Sequence, residues 1–386
     1  MLVGVVGKPN VGKSTFFSAC TLAPAEIADY PFTTIKPNRG MGYVRTPCPH
    51  AQLGLPACKP KHGLCKDGTR YVGIELLDVA GLVPKAYEGR GLGNQFLDDL
   101  RQAQALIHVV DASGATDEEG RTVPPGSHDP VQDVAWLQEE FVFWVRNLLL
   151  KDWEAMHRKI TSQGGAKPEV VLAEKLTGLG IAPKHVKAAV DKAGLDPMEL
   201  AKFIVHNTKP VQIAANKVDK ASLDAVRALQ SRGGVPCGAQ AELALRKAAD
   251  AGVVKYAPGD ADFTLLAPEK LNDKQAKALD YIRHHVTEPW KGTGVQQVPE
   301  ACVFRLLDLI VVFPVEDEHR LSSKGGDVLP DAHLIRRGST AKDLAYKVHT
   351  ELGDHFIRAV DARTKRVIGA DHELQMGDVV RIVAAK

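Results

Sequence analysis

Gly7-Lys-Pro-Asn-Val-Gly12-Lys13-Ser14 follows a five-residue apolar run, Leu2 to Val6 (LVGVV), and leads into Thr15 to Ala23, whose composition suits a helix. Two glycines separated by four residues and followed by Lys and Ser form a phosphate-binding pattern. Such a loop bends so that successive backbone N–H groups point at phosphate oxygens, and the helix behind it adds its positive end. Lys13 supplies a point charge and the Ser14 hydroxyl a magnesium ligand, so Gly7, Lys8, Pro9, Asn10, Val11, Gly12, Lys13, Ser14 and Thr15 are the candidate phosphate cradle. The pattern carries weight here because it sits where its mechanism needs it, between a buried strand and a helix.

Further strands are expected at Tyr71 to Leu77, Ala105 to Asp111 (ALIHVVD) and Pro210 to Ala215, each a compact apolar run ending near a polar residue. Helical patterns lie at Gly93 to Gln104, Lys220 to Ser231 and Ala239 to Ala251. The alternation predicts an α/β fold with a doubly wound, mainly parallel sheet. Nearly a hundred residues separate the strands ending at Asp111 and starting at Pro210, more than one crossover helix requires. Helical patterns at Trp136 to Trp153, Lys184 to Ala193 and Pro197 to Ile204, with Pro168, Pro183 and Pro197 read as breaks, predict an inserted helical subdomain. A helix at Gln296 to Leu307 closes the α/β part. The remainder reads as a small β domain, with strands at 309–315, 357–361, 367–369 and 379–383 and one helix from a cap at Ser339-Thr340 to about Leu352. The predicted division is 1–125 and 206–307 for a two-part nucleotide domain, 126–205 for the helical insert and 308–386 for the C-terminal domain.

The length of 386 residues, 44% apolar and 25% charged content exclude disordered, collagen-like and fibrous classes. The longest apolar stretch, Leu306 to Val315, contains Asp308 and falls short of the roughly 18 residues of a membrane span. With no signal-peptide pattern at the start, the expected location is cytoplasmic, without a membrane. Forty-nine basic against 47 acidic side chains give a net charge of +2, so any nucleic-acid contact must be local. Six cysteines are too few for a secreted disulfide scaffold.

Leu76-Leu77-Asp78-Val79-Ala80-Gly81 ends a strand with a carboxylate that can hold magnesium, directly or through water, and a glycine N–H that can sense a γ-phosphate. Asn216-Lys217-Val218-Asp219 follows another strand and chooses the base. The Asp219 carboxylate can accept from the ring N–H and the exocyclic amine of guanine, whereas adenine would leave the charge unpaired. Asn216 can donate to the base, and the stem of Lys217 can lie along its face.

These motifs resemble the translation-factor class of P-loop GTPases, and longer stretches resemble the Obg and YchF group. They are GKPNVGKST (7–15), DYPFTTIKPN (29–38), LLDVAGLVPKAYEGRGLGNQFLDDLRQAQALIHVVDASG (76–114) and NKVD (216–219). Residues 309–384, through LPDAHLIRRGSTAKDLAYKVHTELGDHFIRAVDA and the closing GDVVRIV, resemble the TGS domain, a β-grasp module of ubiquitin-like fold. The insert and the TGS end suit archaeal and eukaryotic relatives of YchF. By this resemblance Thr34, rather than Thr33, is the first-switch threonine reaching magnesium and the γ-phosphate, and Gly238-Ala239 stands where a Ser-Ala base motif is usual, one hydroxyl short. Bacterial members that prefer ATP carry Glu in the base motif, so Asp219 implies GTP.

Leu82 occupies the place where many GTPases carry the glutamine that orients water, and the group shares this hydrophobic substitution. It implies slow intrinsic hydrolysis of GTP to GDP and phosphate, accelerated by a large partner, with Gly89 to Gly93 moving between states. Asn10 resembles an asparagine that ligates potassium in related GTPases, the alternative being an Asn that only supports the turn. The expected catalytic set is Lys13, Thr34, Gly81 and Asn10, and the expected magnesium set Ser14, Thr34 and Asp78. Cys48, His50, Cys58, His62 and Cys65 offer enough thiols and imidazoles for a Cys₃His zinc site, while a disulfide and unligated cysteines remain open. Residues 309–386 hold 12 basic and 12 acidic side chains, so the expectation of a ribosome, ribosomal RNA or tRNA partner rests on resemblance rather than charge. A monomer is favoured. An ATPase, or a nucleotide-gated RNA-binding module with incidental hydrolysis, is the alternative.

Overall fold

The computed structural model describes residues 1–21, 39–79, 103–162 and 164–385. They form two compact units: 1–21, 39–40, 75–79 and 103–298 with 163 excepted, and 41–74 with 299–385.

The strands of the larger sheet are, in chain order, β1 (Leu2–Val6), β2 (Arg39–Pro47), β3 (Leu64–Lys66), β4 (Thr69–Asp78), β5 (Ala105–Asp111), β6 (Val211–Asn216) and β7 (Val235–Pro236). Across the sheet the order is β2-β4-β1-β5-β6-β7, with β3 antiparallel to β4. In the first unit β1 runs parallel between β4 and β5, and β6 and β7 continue the parallel set beyond β5. Every residue of β1 and β5 is buried, which is why both read as unbroken apolar runs rather than alternating ones. All these parallel strands deliver their C-terminal ends to one edge, the place where ligands bind in open α/β sheets.

Helix α1 (Lys13–Thr21) follows the loop after β1 and buries Phe16, Ala19 and Cys20. A four-residue helix, α2 (Pro49–Gln52), follows β2. Between β5 and β6 lies the helical insert: α3 (Pro130–Leu150), α4 (Trp153–Thr161), α5 (Pro168–Leu176), α6 (Pro183–Ala193) and α7 (Pro197–Thr208). The sequence reading took Pro168, Pro183 and Pro197 as breaks, but each opens a helix at its first position, and α5 was missed for that reason. Proline lacks an N–H where the first turn has no acceptor to give it, and its φ is already helical. The Asp129 and Asp196 side chains cap α3 and α7. Leu137, Phe141, Val145, Leu149, Leu172, Leu176, Val186, Leu200 and Ile204 share one core, each contributing about 1.5–3 kcal/mol by burial. Helices α8 (Leu223–Gln230), α9 (Ala239–Asp250) and α10 (Asp273–Ile282) complete this unit, with a short ribbon of β8 (Val254–Lys255) and β9 (Thr264–Leu265).

In the second unit β10 (Leu309–Val315), β11 (His333–Arg336), β12 (Phe356–Asp361), β13 (Val367–Ile368) and β14 (Val379–Ala384) form a mixed sheet ordered β11-β10-β14-β12-β13. Only β10 and β14 pair in parallel. Helix α11 (Ala341–Val348) covers it through Ala341 and Leu344, which pack with Ile310, Val312, Ala359 and Val380. The expected Thr340 cap is present as a capping box with Asp343, but the helix ends at Val348 and a separate α12 (Thr350–Asp354) follows. Strand β11 was not anticipated, and the expected helix 296–307 is a short turn at Gln297–Glu300 followed by the wider-wound Ala301–Leu306.

Residues 41–74, although β2, β3 and most of β4 lie in the larger sheet, group with 299–385. The backbone N–H groups of Lys59 and Lys61 donate to the carbonyls of Val328 and Pro330, each at 2.9 Å, and Arg45 Nε pairs with Glu300 at 2.7 Å. Among the described residues no helix is long and apolar enough to cross a membrane.

Candidate functional site

The loop after β1 is shaped by two glycines that no other residue could replace. A Cβ at Gly7 would stand 2.6 Å from the Val109 carbonyl oxygen, and one at Gly12, where φ is +90°, would stand 2.4 Å from Nδ2 of Asn216. The loop is thus wedged between the ends of β5 and β6. The register pairing Val5 with Asp78 brings the last residue of β4 to the start of the loop. There Lys13 Nζ forms an ion pair with the Asp78 carboxylate, and Ser14 Oγ lies 3.4 Å from Asp78 Oδ2. A lysine, a hydroxyl and a carboxylate from two segments lie together here, and the hard oxygen donors suit magnesium.

Lys8 does not face this point. The residue is 2% exposed, and Nζ donates to Asp133 Oδ1 at 2.7 Å and the Asp117 carbonyl at 2.7 Å. His128 Nε2 sits 2.8 Å from the same Asp133 oxygen. The Lys8 ammonium therefore anchors the loop to α3. Asn10 adopts φ of +64° and donates its amide to the Gly120 carbonyl at 2.8 Å, so it props the loop against the segment after β5.

Asn216 has structural partners that the sequence reading did not anticipate. It is 3% exposed, its Nδ2 donates to the Val11 carbonyl at 2.9 Å, and its Oδ1 accepts from the Ala239 N–H at 3.1 Å. It locks the phosphate loop to the turn that opens α9, and the Nδ2 amide has a second hydrogen beyond the one given to Val11. Lys217 lies over the loop in a left-handed conformation, Nζ donating to the Asn10 carbonyl at 2.7 Å and pairing with Asp111 Oδ2 at 2.8 Å. Asp219 remains partly exposed, with Tyr281 Oη 3.4 Å from its carboxylate. Burial, with the nearby Asp219 charge second, raises the Tyr281 phenol. At Gly238 a Cβ would approach Val286 Cγ1 to 3.1 Å, so the missing serine reflects close packing by the π-wound turn Arg283–Thr287 that follows α10.

Asp111, at the end of β5, was read only as a strand terminus. Its buried carboxylate accepts from Ser113 Oγ at 2.5 Å and from Thr116 and Lys217. Burial raises its pKa, but these hydrogen bonds outweigh that and hold it below the usual carboxylate range. Its position at the C-terminal edge beside the loop was the available signal. Thr34, Gly81, Leu82 and the 89–93 segment lie outside the described residues.

In the second unit the ligating atoms of Cys48, His50, Cys58 and Cys65 all lie within 4.8 Å of one another. His62 is not one of this group. The three thiols share hydrogen bonds, which lower Cys48 and raise Cys58 and Cys65. None of the described cysteines is in a disulfide.

Comparison with known proteins agrees with this geometry. Residues 2–133 match the 50S ribosome-binding GTPase family, 214–317 the G4 motif-containing domain of Obg-like GTPases of the YGR210-like type, and 326–384 the TGS domain. The chain is 46% identical to the GTP-binding protein MJ1332 of Methanocaldococcus jannaschii over 100% of this chain and 99% of the relative. The ribosome-binding ATPase YchF of Bacillus subtilis is 39% identical over 42% of this chain and 39% of its own length. The crystal structure of a GTP-binding protein from Pyrococcus horikoshii covers 100% of both chains with 39% identity and a TM-score of 0.78.

Proposed function

The chain belongs to the Obg-like, YchF-related family of P-loop GTP-binding proteins, and from that premise we propose that it is a GTP-driven switch acting on ribosomes. The observation that carries this reading is the bridge made by Asn216, which ties the loop holding Lys13 and Ser14 to the turn at Gly238-Ala239. Phosphate and base recognition then share one rigid frame. Lys13 neutralises phosphate charge, loop N–H groups cradle the oxygens, and the partly exposed Asp219 accepts from the two guanine donors. Ser14 and Asp78, with Thr34 by resemblance, would hold magnesium, which supplies charge neutralisation at the β- and γ-phosphates.

Water attacks the γ-phosphorus, the bond to the bridging oxygen breaks, and GDP leaves with the electron pair. Leu82 has no group to orient that water, so intrinsic turnover is slow and a large partner accelerates it. The Gly81 N–H reports the γ-phosphate, and the 89–93 segment changes state on its loss. Asn10, whose amide nitrogen is engaged with Gly120, keeps an oxygen with which to ligate potassium. The ribosome enters through the name of the Bacillus subtilis relative, and the TGS domain is the part we assign to RNA.

The test is hydrolysis of GTP and ATP by purified protein, with and without ribosomes, in potassium and in sodium buffers. GTP-selective turnover that rises with ribosomes supports the proposal. ATP preference would replace it with a YchF-like ATPase, and indifference to ribosomes with a gated RNA-binding module. Equal turnover in the two buffers would remove potassium.

A further inference from the structure

We propose that Cys48, His50, Cys58 and Cys65 bind one zinc ion, which fastens residues 48–66 against the C-terminal sheet. Zinc bonded to sulfur at about 2.3 Å and to imidazole nitrogen at about 2.0–2.1 Å in a tetrahedron separates two sulfurs by about 3.8 Å and a sulfur from a nitrogen by about 3.6 Å. Cys48 Sγ and Cys58 Sγ are 3.7 Å apart, and Cys65 Sγ and His50 Nδ1 are 3.6 Å apart. With all four ligand atoms inside 4.8 Å, the site closes on the metal by movements of at most about 1 Å. The spacing, with one residue between Cys48 and His50 and then Cys58 from a loop and Cys65 from β3, is not a paired CxxC framework, so only the folded chain shows the set. A disulfide would use two of the thiols and give the third thiol and the imidazole no reason to converge.

Arg70 provides an independent reason for an anionic metal centre. It is 0% exposed, and its Nε and Nη1 have no hydrogen-bond partner, while Nη2 donates to the Leu329 carbonyl and the guanidinium lies 5.6 Å over the Phe313 ring. A buried guanidinium needs a counter-charge. Arg70 stands opposite Cys65 in the β3–β4 ladder. Three thiolates and one Zn²⁺ carry a net charge of −1, which offsets it. The same arm is pinned by the Cys48 N–H to the Gly68 carbonyl at 2.7 Å and by Lys59 and Lys61 to Val328 and Pro330. It is a closed four-ligand site, which is the structural rather than the catalytic form.

The experiment uses untagged full-length protein purified under reducing conditions with zinc present. Metal analysis should find about one zinc per chain, released stoichiometrically by a mercurial that titrates thiols. Cobalt exchanged into the site should show sulfur-to-metal charge transfer with tetrahedral d–d absorption. Cys65→Ser and His50→Ala should each weaken zinc by at least about tenfold, while His50→Cys should retain it. Retained guanine-nucleotide binding checks that each variant is folded. Should a variant not fold, chelation of the wild-type protein decides: loss of amide protection at Lys59 and Lys61 supports the proposal, and unchanged protection overturns it. Substoichiometric zinc, a cobalt spectrum without sulfur charge transfer, or a Cys48–Cys58 disulfide found by mass analysis would also overturn it.

Discussion

Replacing Asn216 by alanine separates its structural work from base reading. The side chain is buried, donates to Val11 at 2.9 Å and accepts from Ala239 at 3.1 Å. Truncation leaves a carbonyl and an N–H buried without partners, each costing about 1–3 kcal/mol, or about 2–6 kcal/mol together. That is a large part of a typical domain stability of about 5–15 kcal/mol. In a unit of this size each kcal/mol moves the melting temperature by about 2–4 °C, so nucleotide-free protein should lose at least about 4 °C. GTP and GDP affinity should fall together, because the loop and the α9 turn lose their common frame. Asp219→Ala is the contrast: its carboxylate is partly exposed and lies 3.4 Å from Tyr281 Oη, so its melting temperature should move little while guanine preference is lost. Thermal unfolding without nucleotide and competition of GTP and ATP for a fluorescent GDP analogue read both quantities. An unchanged melting temperature for Asn216→Ala, or guanine preference lost in that variant and kept in Asp219→Ala, would refute the assignment.

Asp219→Ala should itself weaken GTP by about two to four orders of magnitude, the worth of two charge-assisted hydrogen bonds of about 1.5–3 kcal/mol each, with ATP unaffected; an unchanged GTP-to-ATP affinity ratio would show that the base is read elsewhere. Lys8→Met leaves Asp133 buried without its cation and should destabilise by about 3–5 kcal/mol in denaturant titration, whereas Lys8→Met with Asp133→Leu should recover most of that. Burial, with the Lys8 charge second, pushes His108 down to about 3, and neither ring nitrogen has a partner. Unfolded chains therefore bind a proton below about pH 6.5 that the native protein refuses until about pH 3. Stability is complete above that window and falls through it by about 1.4 kcal/mol per pH unit, a slope that His108→Met should remove.

The nucleotide site was legible because its chemistry is local. Gly7 to Ser14 works through consecutive backbone N–H groups, so contiguous residues carry the pattern, and Asp78 and Asp219 follow strands whose apolar runs mark their ends. The parallel sheet was readable for the same reason, since strands buried on both faces leave little room for polar residues. Destinations of side chains were not legible. Lys8 sits inside the phosphate motif yet turns to Asp133, and Asn216 sits inside the base motif yet turns to Val11 and Ala239, because each satisfies a buried partner more than twenty residues away. The same holds for the thiols. Spacing offered His50 and His62 alike, and only the turn of chain between β2 and β3 brings His50 to Cys65 and leaves His62 out of the cluster. Local backbone geometry is written in neighbouring residues, whereas the partner of a buried charge or ligand depends on which distant segments the fold brings against it.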